Sequence, residues 1–195
     1  MFVLACLPVL VACAVGTERR FPLVAGAATR SAILRADIDE HRNGPPPVEF
    51  EVDCSALPYA KGEEREFCYE WGSWAVVELD RGILVACGCG EFGGFVAWYA
   101  RGGGLLQTLI TGDVPKTLIA DSEALVCVTG LTHLNSSTGA VHGFRLVGER
   151  WQALGATALP KDVASVAIEA DGSLRLDLHD SGGAFRYRTG TLEGL

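Results

Sequence analysis

The sequence predicts an all-β protein built from antiparallel meanders. Three observations carry that expectation. Glycine is abundant, at 24 of 195 residues. Apolar runs are short and are broken by turn residues, which favours strands over helices. A strand–turn–strand unit also recurs along the back two-thirds of the chain.

The recurring unit is seen most plainly in three segments. They are "VVELDRGILVAC", "LIADSEALVCV" and "AIEADGSLRLDL". Each holds an apolar strand, an Asp (Asp80, Asp121 or Asp171), a small polar turn and a second apolar strand. A short acidic side chain in that place can hydrogen-bond the turn backbone. A looser loop follows in each case: "GEFGG", "LTHLNSSTG" and "HDSGG". Each loop leads to a strand with aromatic residues, "FVAWYA", "AVHGFRL" and "AFRYR". The first two units gain a fourth strand, "LLQTLI" and "RWQALGA", and end at Pro115-Lys116 and Pro160-Lys161. The third unit is expected to stop short, with only "TGTLEGL" remaining.

Four antiparallel strands in about 40–50 residues resemble a blade of a β-propeller. The resemblance spans Trp74 to Arg188 and implies a propeller-like or partial-propeller fold. "VEFEV", Val48 to Val52, alternates as a half-buried strand and could complete the last blade. The alternative is a two-sheet β-sandwich of the same meanders. Residues 48–195 form the expected single domain, with about three repeat units. Residues 14–47 form an N-terminal segment that ends in the extended "NGPPP". Within that segment "SAILRADIDEH" has the composition of a short helix.

The period-2 pleat assigns faces. Ile83, Val85, Cys87 and Cys89 share one face, as do Leu125 with Cys127, and Leu174, Leu176 and Leu178. These faces are expected to be buried, cysteines included. The opposite face stays apolar in the first two units but reads Arg175, Asp177, His179 in the third. That makes the third sheet a rim with a polar contact surface. Arg175, Asp177, His179 and Ser181 are therefore the candidate binding residues.

"MFVLACLPVLVAC" opens the chain. Its apolar run is shorter than the roughly 20 residues of a membrane-spanning helix and suits the core of a signal peptide. Leu10-Val11-Ala12-Cys13 resembles the lipobox of bacterial lipoproteins. That resemblance implies cleavage before Cys13, a lipid on Cys13 and a membrane-anchored place in the periplasm; a plain secretory cut near Ala14, which would give a secreted protein, is the alternative. Export permits disulfides. Cys54 and Cys68 flank a loop with Pro, Gly and charges, and closing it would stabilise the fold by about 3 kcal/mol, so they are the expected pair.

The formal charge of −8 carries no basic stripe, which disfavours nucleic acid as a partner. No metal or cofactor is expected. Cys87-Gly88-Cys89 with His133 and His142 lacks a second ligand pair at zinc spacing. "DLHDS", Asp177 to Ser181, has the ingredients of a catalytic triad but lies on one strand end and turn. Glu91, Asp113 and Asp177 would have to converge for glycoside hydrolysis. Ser181-Gly182-Gly183-Ala184-Phe185 is similar to the Ser-Gly-x-x-Tyr loop of bacterial periplasmic lysozyme inhibitors, with Phe185 in the Tyr place. By that resemblance the Ser181 turn would plug an enzyme cleft. The expectation is a non-enzymatic, protein-binding envelope lipoprotein, an inhibitor or immunity protein among the forms it could take. A carbohydrate- or cell-wall-binding domain and a hydrolase are the alternatives.

Overall fold

The structure is a computed structural model that describes residues 33–38, 44–54, 70–134, 136–180, 182–188 and 190–195. Cys13, Cys68 and Ser181 lie outside the described residues.

The chain is all-β and antiparallel, as its composition predicts. A first sheet is a simple meander of β2 (Ser73–Leu79), β3 (Gly82–Gly88), β4 (Gly94–Tyr99) and β5 (Leu105–Thr111). A second holds β6 (Pro115–Ala120), β7 (Ala124–His133), β8 (Ser136–Val147) and β9 (Arg150–Leu159), with β1 (Leu34–Asp37) added on the β6 edge. The third is β10 (Val163–Ile168), β11 (Leu174–Leu178), β12 (Ala184–Arg188) and β13 (Thr191–Gly194). None of these sheets closes into a barrel.

The three recurring turns fall between β2 and β3, β6 and β7, and β10 and β11. Two are tied as the Asp pattern predicts. Asp121 Oδ1 accepts the Glu123 and Ala124 amides, both at 2.8 Å. Asp171 Oδ1 accepts the Ser173 amide at 3.0 Å and the Ser173 hydroxyl at 2.6 Å. In the first turn the Asp80 carbonyl instead accepts Arg101 Nε at 3.2 Å. Gly82 is required there, because a Cβ would strike the Tyr99 carbonyl and the Trp98 ring.

The sheets stack face to face, and the pleat sorts their side chains into three apolar layers. Val85, Cys87, Phe95 and Tyr99 pack on the outer side of the first sheet, against Phe50, Val52 and Cys54. Leu84, Ala86 and Trp98 meet Leu118, Leu125, Cys127 and Trp151 of the second sheet. On the other side of that sheet Ile119, Val126 and Val128 meet Leu174, Leu176 and Tyr187 of the third. The expected buried faces are buried, but they belong to three different layers. Trp98 and Trp151 join the first two sheets edge to face, with ring centroids 5.7 Å apart. Consecutive blades of a partial propeller pack this way, and so do layers of a sandwich.

Four expectations need correction. Leu34–Asp37 is strand β1 and not part of a helix. The edge of β6 supplies its hydrogen bonds, with Leu34 opposite Ala120. Residues 48–52 are not a strand and do not complete the third sheet. They lay Val48, Phe50 and Val52 on the first sheet. The third sheet has its own fourth strand, because Thr191–Gly194 pairs with β12. Finally, Cys54 is buried and forms no disulfide, and its expected partner Cys68 lies outside the described residues. Cys54 sits in the apolar layer that also holds Cys87.

Candidate functional site

The turns after β3, β7 and β11 emerge at one end of the stack, and a depression of about 740 Å³ opens between them. The first sheet contributes Ser73 and the turn from Gly88 to Phe92. The second contributes Lys116, Thr132 and His133. The third contributes Asp162, His179 and Asp180.

Asp162 is the knot under the floor. It precedes β10 and is only 2% exposed. Its Oδ1 accepts the Val163 amide at 2.7 Å. Its Oδ2 accepts the Thr132 hydroxyl at 3.2 Å and lies 3.6 Å from Lys116 Nζ. Its amide donates to Ser137 Oγ at 2.9 Å, and its carbonyl accepts the His179 amide at 3.0 Å. A buried carboxylate is tolerated because cation and donors surround it. The carboxylate needs the bare Cα of Gly130, where any Cβ would overlap Oδ1. One residue thus fastens β6, β7, β8 and the start of the third sheet.

At the mouth His133 Nε2 lies 2.7 Å from Glu91 Oε2, linking the second sheet to the first. Large apolar side chains stand around these polar groups. Trp71 is 58% exposed and Phe92 is 44% exposed, and both line the depression. Leu134, next to His133, is 86% exposed.

Of the residues that the sequence nominates, His179 lines this depression. Arg175 and Asp177 are not among its lining residues. Those two pair with each other on β11, Arg175 Nε to Asp177 Oδ1 at 3.1 Å. The Ser165 hydroxyl donates to Asp177 Oδ2 at 2.8 Å. That bond first, and the Arg175 contact second, hold the Asp177 carboxyl below the usual range. The pair is satisfied within its own sheet. Sequence reasoning missed Asp162, Lys116 and Thr132. Only the Pro-Lys steps near Lys116 and Asp162 marked that neighbourhood.

Among the described residues, the three carboxylates considered for glycoside hydrolysis do not converge, and the Asp177–Ser181 group includes Ser181, which lies outside the described residues. Glu91 faces the depression and Asp177 lies on β11, while Asp113 lies 3.3 Å from His142 Nε2. Thr129, His142 and Asp113 form a triad-like group beside a second cavity of about 110 Å³. Thr129 Oγ1 is 3.1 Å from His142 Nε2, the same nitrogen that faces Asp113. A relay needs the nucleophile and the acid on opposite ring nitrogens. This group shares one and therefore ties strands together.

Cys87 and Cys89 place their sulfurs 3.4 Å apart. Burial, with the neighbouring Cys54 thiol second, pushes the Cys87 thiol far up. Burial does the same to Cys127. Such thiols stay protonated and are poor nucleophiles. Among the described residues no group of three His, Cys, Asp or Glu side chains is placed to hold a metal ion.

No protein-family model, no curated protein and no solved structure matches the chain.

Proposed function

We propose that the protein is an exported binding module, anchored through a lipid on Cys13, that recognises a protein partner in the cell envelope. Its recognition surface is the depression at the loop end of the stack. The single observation that carries this reading is the exposure of Trp71, Phe92 and Leu134 around polar groups at that one end. Aromatic and apolar anchors among polar neighbours are the common anatomy of a protein interface. The missing alignment of His142 with its partners supports binding over catalysis. The lipobox-like Leu10-Val11-Ala12-Cys13 supports export and anchoring.

A benzophenone photo-cross-linker tests the reading from two positions in the full chain. At His179 it should give a discrete protein adduct in intact envelopes. At Arg175 it should give none. An adduct from Arg175 alone would return the contact surface to the outer strands of the third sheet. Retention on cell-wall glycan with no protein adduct would favour the carbohydrate-binding alternative.

A further inference from the structure

We propose that Leu134 is an anchor residue, inserted by this module into an apolar socket on its protein partner. The inference rests on the binding reading above and names the side chain that carries it.

His133 pairs with Ser136, so the connection between β7 and β8 has only two residues. Two-residue hairpins require positive φ at the first position, which Asn, Asp and Gly adopt with least strain. Leu134 occupies that position with φ +52. A branched apolar side chain is a poor choice there, because its Cβ crowds the backbone. The fold gains no burial in return, since 86% of the residue is exposed. Local structure alone would select Asn or Gly. A residue that breaks a local rule with no compensation inside the fold marks a functional position.

The support beneath it is rigid. β7 and β8 pair at ten successive positions up to this turn. His133 is held to Glu91 of the neighbouring sheet. Leu134 is thus presented on a fixed stalk beside the depression, at small entropic cost on binding.

Two surfaces could bury a protruding leucine, a protein socket or a lipid bilayer. Glu91 and Asp180 line the adjacent depression, and the chain carries a formal charge of −8. An anionic leaflet repels such a surface, and a single leucine offers little insertion energy. The observations favour the protein.

The test compares wild type with Leu134→Asn and Leu134→Met in the full chain carrying the benzophenone at His179. Leu134→Asn should unfold at the same or higher urea concentration. Its concentration for half-maximal competition with the wild-type adduct should rise about 30-fold, equivalent to roughly 2 kcal/mol. Leu134→Met should compete within a few-fold of wild type. With Cys13→Ser added so that no lipid can be attached, neither wild type nor variant should sediment with phosphatidylethanolamine–phosphatidylglycerol vesicles. A less stable Leu134→Asn would mean that the side chain serves the fold, and undiminished competition would remove the anchor role. Vesicle binding lost on substitution would assign it to lipid. If wild type forms no adduct, the binding reading itself fails. If the adduct persists in Leu134→Asn, the anchor proposal alone fails.

Discussion

The titration of single residues follows from where the sheets place them. His142 sits between Thr129 and Asp113, and burial lowers its pKa more than the Asp113 carboxylate raises it. The folded chain therefore binds the proton less readily than the unfolded chain does. Stability is full above the unfolded value near 6.5 and falls as pH drops through it toward the lower folded value. A series of urea midpoints from pH 8 to pH 5 should decline for wild type. In His142→Gln that decline should be flatter over the same range, and an unchanged slope would assign it elsewhere. At the hairpin tip, replacing Leu134 by Asn should relieve about 1 kcal/mol of backbone strain. The sequence marks His142 only as a conceivable zinc ligand, not as a buried titrating group, and does not mark Leu134 at all. His142 otherwise looks like an ordinary strand residue, and the αL conformation of Leu134 follows from a two-residue turn that only the strand register reveals.

Elements were legible where a pattern forms its own local contacts. The Asp121 and Asp171 turns close on their own backbones, so their sequence sufficed. β1 and β13 are strands because an existing edge supplies hydrogen bonds, on β6 and β12 respectively. Neither "LRAD" nor "TLEG" has enough apolar alternation to announce this. The alternation of residues 48–52 did mark a buried face, and Val48, Phe50 and Val52 do pack on the first sheet. It did not guarantee a ladder of hydrogen bonds. At the junction of the second and third sheets, Gly130 makes room for Asp162. Gly130→Ala should push that carboxylate off Val163 and Thr132 and cost roughly 2–4 kcal/mol, because a buried charge loses partners. Equilibrium urea unfolding reads the loss directly. A change below about 0.5 kcal/mol would show that the junction has room to adjust.

On the scale of the whole molecule, the stack determines what can be a site. The second sheet is covered on both faces, which makes it the middle layer. That placement brings the turn of each sheet to one end. The general form of the fold could be read ahead of time, because meander and turn signals are local. The depression could not, because its floor joins Lys116, Thr132 and Asp162 across segments that no single pattern links. Burial of Cys87 and Cys127 between layers also has a chemical consequence. Both thiols should resist a charged aromatic disulfide reagent in the native protein and react once urea unfolds it. Prompt labelling of either in native buffer would mean that its layer is open.

Amide hydrogen exchange, resolved along the chain, tests the layered stack most directly. The middle of β7, from Leu125 to Val128, should exchange only through global unfolding, with its rate following the urea-measured stability. The edge strand β13 should exchange orders of magnitude faster. If β7 exchanged as readily as β13, the second sheet would not be the shared layer, and the loop-end site would lose its support.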